Sequence, residues 1–333
     1  TPGMVERIDH MVCVVPDLLS AGAAYERLGL SPTAESRHEA AGVANRAVFV
    51  GTDATNYTYL ELLSVTDEVI ARSTGRELYV EAVARGGSVV GVSFGSTDIH
   101  SASRELGAAG YPAPIETLSR PDGSKVIDIA TVDTRGAVPF RLSLAQYPET
   151  WAARYERSRA AGRFAHDFPL KRLDHLAVVA PDIEAATRFW GEVLGVPVHG
   201  EIRTDAMVIK QLKIGDAVLE LLGPATPQSP MAARPAALAS MAAWEVNGPL
   251  DAAVELARER GFTVSEPEYG VIPGTRRASI PAAELAGVGM QLLHRGQVCE
   301  RMIRELIVRS CAVLDRCAAE PPDVGFRVAR EVL

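Results

Sequence analysis

The chain contains the same strand-like motif twice, and this duplication limits its possible folds more than any other feature. Residues 8–18 read IDHMVCVVPDL and residues 173–183 read LDHLAVVAPDI. Each copy is followed, about fifty residues later, by Leu-Glu-Leu-Leu, at residues 60–63 and 219–222. A repeat at a fixed offset indicates that one structural unit has been duplicated. The sequence therefore predicts two similar halves, each with one histidine and one glutamate at matching positions.

Within each half, apolar runs and turn residues indicate two smaller units of about fifty residues. Each unit opens with an apolar strand, continues with an amphipathic helix and closes with three short strands, in the order β-α-β-β-β. A glycine follows each predicted helix, as at a helix C-cap: Gly29, Gly110, Gly195 and Gly261. We therefore expect an α+β fold with two units in each half.

The domain boundaries follow from the same pattern. We expect an N-terminal domain over residues 4–147, a charged helical linker over 148–170 and a C-terminal domain over 171–296. Residues 297–333 lie outside the repeats and show an apolar stripe at helical spacing. They are predicted to form a C-terminal helical tail that packs on the body of the protein or on a second subunit, so a homodimer is possible.

Composition excludes several classes of partner. The 333 residues carry a formal net charge of −8, which does not favour nucleic acid or an anionic membrane. No apolar run reaches the roughly 18 residues needed to span a bilayer. No charged-then-apolar leader is visible, and the four cysteines form no CxxC pair. These features predict a cytoplasmic protein that acts on a small molecule.

The motifs together resemble the vicinal oxygen chelate superfamily, which includes glyoxalase I, methylmalonyl-CoA epimerase, fosfomycin-resistance proteins and extradiol dioxygenases. The resemblance is carried by the four units, the Asp-His opening strand, the Pro-Asp after it and the closing Leu-Glu-Leu-Leu. It covers about residues 5–295. The first unit looks like the glyoxalase-like branch, and the third looks like the first module of methylmalonyl-CoA epimerases.

The resemblance implies the glyoxalase–bleomycin resistance–dioxygenase fold, in which four tandem βαβββ modules form two cupped mixed β-sheets. In that fold the first and last strands of each module lie side by side and present one ligand each to the cup. Two modules thus offer four ligand positions, usually filled by His, Glu or Gln. The bound metal chelates two neighbouring oxygens of the substrate.

Strand alternation in this chain is consistent with such a site. With a period of two, His10 shares a face with Val12, and Glu61 shares a face with Leu63. A glutamate in an apolar strand costs several kcal/mol unless it is paired or bound to a metal. Imidazole and carboxylate together suit Zn²⁺, Fe²⁺, Mn²⁺, Co²⁺ or Ni²⁺. The predicted metal ligands are His10, Glu61, His175, Glu220 and Gln291.

The remaining ligand positions depart from the family pattern. They fall near Val89 and Arg141 in the second unit, and near Met241 and Gln291 in the fourth. Extradiol dioxygenases and epimerases need a histidine at the position of Met241 and a glutamate at that of Gln291. Two arrangements remain open: sequential units share a cup, or the first and third units face each other and unite two His and two Glu as in glyoxalase I.

Other polar residues are candidates for catalysis or substrate binding. Glu61 and Glu220 are candidate bases, and His38 is either a proton shuttle or a solvated loop residue. Arg141 is suited to grip a substrate carboxylate bidentately. Either Lys210 or Gln211 must face inward, and Gln211, like Asn45, is a candidate to hydrogen-bond substrate.

The leading hypothesis is a metal-dependent isomerase, epimerase or lyase. A divalent ion polarises an oxygen pair of a small substrate, and a glutamate moves a proton at the adjacent carbon. Two alternatives stay open. One is an Fe²⁺ extradiol-type dioxygenase, and the other is a metal-free small-molecule binding protein or hydrolase.

Overall fold

A computed structural model describes residues 3–120, 122–272 and 274–296. It divides into two compact units. The larger unit, Thr1–Glu268 with Arg277–His294, contains both halves of the duplication. The smaller unit consists of Tyr269–Arg276 and the chain from Arg295 onward. Within it, the Gly270 amide donates to the Thr275 carbonyl and the Gly296 amide to the Gly274 carbonyl. The tail helix predicted for 297–333 lies outside the described residues.

The first half forms one mixed sheet of eight strands in the order β2-β3-β4-β1-β5-β8-β7-β6. β1 pairs in parallel with β4, and in antiparallel with β5. The strands are β1 (Arg7–Val14), β2 (Ser36–His38), β3 (Val43–Val50), β4 (Thr58–Val65), β5 (Ser88–Gly95), β6 (Ile115–Ser119), β7 (Lys125–Thr131) and β8 (Arg141–Gln146). The helices are α1 (Leu18–Leu28), α2 (Glu68–Ser73), α3 (Glu77–Ala84) and α4 (Ile99–Ala108).

The second half repeats this topology in the order β10-β11-β12-β9-β13-β16-β15-β14. Helix α5 (Trp151–Ala160) lies between the halves. The strands are β9 (Leu170–Val179), β10 (Val198–Arg203), β11 (Met207–Ile214), β12 (Ala217–Pro224), β13 (Ala237–Val246), β14 (Glu268–Tyr269), β15 (Thr275–Ile280) and β16 (Gly289–Arg295). The helices are α6 (Ile183–Arg188), continued by a π-helix over Phe189–Val193, and α7 (Leu250–Glu259).

The predicted α+β fold of two curled mixed sheets is confirmed, and the structure decides between the two arrangements of units. The first two units share one sheet, and the third and fourth share the other. Pairing of the first and third units is therefore wrong. Sequential units are neighbours because β1 and β5 pair directly, as do β9 and β13. The strand expected near residues 263–266 lies instead at Glu268–Tyr269.

Side chains along each strand point alternately to the two faces of the sheet. On β1 and β4, Met11, Cys13 and Leu62 enter the main core, which joins both halves. Val12 and Leu63 point the other way and pack in a smaller cluster with α3. We call this second, concave face of the first sheet the N-terminal cup, and the matching face of the second sheet the C-terminal cup. No helix among the described residues is long and apolar enough to cross a membrane.

The linker after α5 is held against the first half by His166. Its Nδ1 accepts a hydrogen bond from the Ser31 amide at 3.1 Å, and its Nε2 donates to the Phe49 carbonyl at 2.6 Å. An imidazole that accepts through one nitrogen and donates through the other is neutral. Burial lowers the pKa of His166, although the Phe49 hydrogen bond and the charge of Asp167 oppose the shift.

Replacing His166 with alanine tests this contact. Because the folded state favours the neutral imidazole, its contribution to stability is complete above the unfolded pKa of about 6.5 and is lost as the pH falls through the lower folded-state pKa. At pH 8 we expect His166→Ala to unfold with a free energy about 1–2 kcal/mol lower, since two hydrogen bonds disappear. Calorimetry between pH 8 and pH 5 should show the difference shrinking, and a constant difference would contradict this account.

Candidate functional site

The N-terminal cup contains a histidine and a glutamate that face each other. His10 Nε2 lies 3.8 Å from Glu61 Oε2. On the other side of the ring, His10 Nδ1 donates to Asp9 Oδ2 at 2.7 Å. Asp9 is only 1% exposed. Burial alone raises the pKa of Asp9, but the hydrogen bond and charge of His10, followed by the charge of Arg154, hold it below its usual range.

The C-terminal cup repeats this geometry. His175 Nε2 lies 3.8 Å from Glu220 Oε2, and His175 Nδ1 donates to Asp174 Oδ2 at 2.9 Å. Asp174 is 2% exposed. In both cups, the aspartate fixes the proton on Nδ1 and leaves the Nε2 lone pair facing the glutamate. The Asp-His pair of the duplicated motif thus forms the same hydrogen bond in both halves.

An amide side chain from the neighbouring strand holds each glutamate. Asn45 Nδ2 donates to Glu61 Oε1, and Gln211 Nε2 donates to Glu220 Oε1 at 2.9 Å. Gln211 lies directly opposite Glu220 in the sheet, while Asn45 lies two residues farther along its strand. An asparagine in the first half and a glutamine in the second, at different register positions, therefore both donate a hydrogen bond to the glutamate carboxylate. Of the pair Lys210 and Gln211, it is Gln211 that faces inward.

The rest of each cup differs, and strand register shows how. His10 pairs with Ser93, which pairs with Ser143. In the second half, His175 pairs with Ala243, which pairs with Gln291. Gln291 therefore lies in the row of His175, as expected. Val89, Arg141 and Met241 do not lie in the histidine rows. Val89 pairs with Cys13 and Arg141 with Gly91, and a register shift in β9–β13 brings Ala243, rather than Met241, opposite His175.

Arg141 is engaged by its own domain. Its guanidinium donates to Tyr79 Oη at 3.1 Å and to Thr131 Oγ1 at 2.8 Å. It also lies 5.8 Å from the centroid of the Tyr79 ring. These contacts attach helix α3 to the cup, so packing accounts for Arg141 without a substrate.

The donors in the C-terminal cup suit a divalent metal better than those in the N-terminal cup. Two ligands about 2.1 Å from one ion at a tetrahedral angle lie about 3.4 Å apart, close to the 3.8 Å seen in both cups. In the C-terminal cup, Gln291 adds an amide oxygen in the histidine row. The N-terminal cup has Ser143 there. No group of three His, Cys, Asp or Glu that could hold a metal occurs within the described ranges.

A cavity of about 1080 Å³ opens at the N-terminal cup. His38 lies on edge strand β2, is exposed and lines this cavity. Tyr147, which follows β8, and Arg154 of helix α5 also line it. Tyr147 Oη donates to Asp9 Oδ2 at 2.8 Å, so the cavity lining is joined directly to the Asp9–His10 pair.

Sequence reasoning missed three residues around the Asp9–His10 pair: Tyr59, Tyr147 and Arg154. Tyr59 stacks on His10 with ring centroids 4.6 Å apart, and its hydroxyl lies 3.2 Å from that of Tyr147. The Arg154 guanidinium covers the Tyr147 ring at 3.9 Å. The only signal in the sequence was the high arginine content of residues 148–170. The two aspartates next to the histidines were visible in the repeat itself.

Two family models match the chain. A glyoxalase-like domain matches residues 8–161, and the Glyoxalase/Bleomycin resistance protein/Dioxygenase superfamily matches residues 174–278. The first match includes every strand of the N-terminal cup from Ile8 onward, and the second includes His175 and Glu220 but ends before β16 and Gln291. No curated protein is significantly similar to the chain in sequence.

Solved structures show the same fold. A mutant 4-hydroxymandelate synthase from Streptomyces coelicolor aligns with a TM-score of 0.59 and 17% identity, over 89% of this chain and 93% of that one. The Mn(II)-bound glyoxalase from Novosphingobium aromaticivorans aligns with a TM-score of 0.56 and 11% identity, over 89% and 84%. BphC, a halotolerant catechol dioxygenase, aligns at 0.52 and 15%, over 87% of each chain. At these identities the likeness establishes a shared fold.

The buried glutamate should be dispensable for stability. Glu220 is 6% exposed, and no lysine or arginine lies within 4 Å of it among the described residues. In metal-free protein, we expect Glu220→Gln to unfold with a free energy equal to the wild type or up to about 1 kcal/mol higher, because a buried charge is removed and Gln211 keeps an acceptor. Glu192→Gln, at an exposed position, is the control. Calorimetry in a chelator checks this, and a clear loss for Glu220→Gln alone would make the carboxylate structural.

Proposed function

Because the chain belongs to the vicinal oxygen chelate superfamily, we propose that it is a metal-dependent isomerase or lyase. It moves a proton at a carbon next to an oxygen of a small substrate. The observation that carries this proposal is the repeated arrangement of a buried aspartate, a histidine and an amide-held glutamate. Packing alone does not account for two such sets in apolar strands, since each buries carboxylates that folding could omit.

We assign the metal to the C-terminal cup. His175 Nε2, Glu220 Oε2 and the Gln291 amide oxygen would hold it, and their nitrogen and oxygen donors suit Zn²⁺, Fe²⁺, Mn²⁺, Co²⁺ or Ni²⁺. A divalent ion bound there would polarise two neighbouring substrate oxygens and make the adjacent C–H bond more acidic.

The chain's own residues supply orientation and proton transfer. Asp174 fixes the imidazole tautomer, so that His175 Nε2 presents a lone pair. Gln211 holds Glu220 through Oε1, which fixes the plane of the carboxylate. We also assign Glu220 as the base: Oε2, the oxygen that does not accept from Gln211, would leave the ion to take the substrate proton. A positioned general base contributes typically 10²–10⁴-fold to the rate.

The alternative functions have less support from the geometry. An extradiol-type dioxygenase would need a further ligand from β13. There Met241 and Ala243 share one strand face, and neither offers an imidazole or carboxylate. A metal-free binding protein would leave the His175–Glu220 pair without a task. The residue on which that alternative depends to hold an acidic ligand, Arg141, already donates to Tyr79 and Thr131.

Metal content in a set of variants tests the proposal. We expect the wild type to hold about one divalent ion per chain by elemental analysis after incubation with Mn²⁺ or Zn²⁺ and desalting. His175→Ala should lose it, because a principal donor disappears. Asp174→Asn should weaken binding roughly 10–100-fold, since it orients that donor. The matched variant His10→Ala should keep the ion, and equal metal content in all four proteins would contradict the assignment.

Proton transfer can be followed separately. With Mn²⁺-loaded protein in D₂O, deuterium should enter the carbon next to an oxygen-bearing carbon in a member of a panel of small hydroxy and oxo acids, detected by NMR. Glu220→Gln should slow this exchange at least 100-fold, because the base is gone. Exchange at the wild-type rate in Glu220→Gln would assign the proton transfer to another residue.

A further inference from the structure

The mouth of the N-terminal cup is strongly cationic, although the protein is acidic overall. Seven arginine or lysine side chains and three glutamates line the cavity of about 1080 Å³, whereas the whole chain carries a net charge of −8. An excess of one sign in a cavity concentrates ligands of the opposite sign. The mouth therefore favours an anionic ligand.

Three of these cations have no carboxylate within 4 Å in the described part of the chain, and one of them, Arg120, donates instead to Ser124 Oγ at 3.1 Å. Arg157 pairs with Glu149, and Arg76 lies 3.7 Å from Glu116. In contrast, no carboxylate lies within 4 Å of Arg154 or Arg163 anywhere in the described part of the chain. Burial lowers the pKa of Arg154, but Tyr147 and then the charge of Asp9 raise it above its usual value, so Asp9 offsets part of the Arg154 charge from beyond ion-pair distance.

Arg154 lies among aromatic rings and has no direct ion pair with a described residue. It is 5% exposed, and its Nε has no hydrogen-bond partner among the described residues. Its guanidinium lies 3.9 Å from the centroid of the Tyr147 ring and 5.5 Å from that of Tyr59. The Thr150 side chain caps the helix that carries it. Arginine stacked on aromatic rings keeps its N–H groups free for a planar anion.

Arg163 stands beside it over a third ring. Its guanidinium lies 5.0 Å from the centroid of Phe49, and its own hydrogen bond, to Ser158 Oγ, is long at 3.5 Å. Burial lowers the pKa of Arg163, and the charges of Arg157 and Arg154 lower it further. Arg163 and Arg154 thus repel each other, and a bound anion would offset that repulsion.

The space around these arginines also has an apolar side. A second cavity, of about 480 Å³, meets the first at Arg154 and Arg163 and is lined by Pro32, Phe49 and Tyr59. A ligand there would touch aromatic rings with its body and guanidinium groups with its anionic end. Tyr59 stacks on His10 at 4.6 Å, so such a ligand would lie next to the His10–Glu61 pair.

We propose that Arg154 and Arg163 form a binding site for the carboxylate of an aromatic or otherwise flat organic acid, whose body packs on Phe49 and Tyr59. The site belongs to the N-terminal cup and does not depend on a metal in the C-terminal cup. Its failure and that of the metal proposal are therefore separable.

Calorimetric titration of chelator-treated full-length protein tests the site with benzoate, neutral benzamide and inorganic phosphate as probes. We expect benzoate to bind once per chain, at least tenfold more tightly than benzamide, and to weaken as salt is added. Arg163→Gln should weaken benzoate binding at least tenfold. Arg37→Gln is the control, because Arg37 lines the same cavity but is exposed and paired with Glu35 at 2.7 Å.

Half-exposed Arg163 is the better target, since Arg154→Gln risks the fold. Circular dichroism and melting temperature should be unchanged in Arg163→Gln. Equal affinity in Arg163→Gln and wild type would overturn the proposal, as would equal binding of benzamide and benzoate. If phosphate bound and benzoate did not, the proposal would also be overturned, because the rings of Phe49 and Tyr59 would then play no part in binding.

Discussion

The site in each half depends on one hydrogen bond, from a histidine Nδ1 to a buried aspartate that precedes it in the chain. Asp9 and Asp174 are among the least exposed charged residues of the protein. The imidazole stabilises each buried carboxylate, together with Tyr147 at Asp9 and Arg172 at Asp174. With the aspartate as its partner, the imidazole cannot rotate, and its Nε2 faces a glutamate at 3.8 Å in both cups. Strand pairing keeps the histidine and the glutamate together, because β4 with Glu61 pairs with β1, and β12 with Glu220 pairs with β9.

Duplication has preserved this pair while the surroundings have diverged. The first cup surrounds it with tyrosines and with arginines from the linker, and carries Ser93 and Ser143 in the histidine row. The second cup carries Ala243 and Gln291 there instead. We propose that one half binds an anion and the other a cation. A chain with two copies of one site can separate two tasks that a single site would have to combine.

Much of the architecture could be predicted from the sequence, because the repeat and the period-two strands are local signals. His10, Glu61, His175 and Glu220 were identified because polar residues in apolar strands are rare and occurred at matched places. The partners across strands were harder to predict. The register places Ser93 opposite His10, whereas Val89 lies opposite Cys13. Arg141 of β8 donates to Tyr79 and Thr131, contacts that no local pattern indicated, and its role in substrate binding stays a prediction. Arg154 reaches its ring partners through tertiary packing of the linker, which no local pattern specifies.

The central claim is that the paired histidine and glutamate of the C-terminal cup exist to hold a cation. An anomalous difference map of crystals grown with Mn²⁺, with data on both sides of the manganese absorption edge, tests it most directly. The account predicts a peak between His175 Nε2 and Glu220 Oε2, within about 2.3 Å of each. A well-occupied peak elsewhere with none at this position, or full-concentration soaks that leave both cups without a peak, would contradict it.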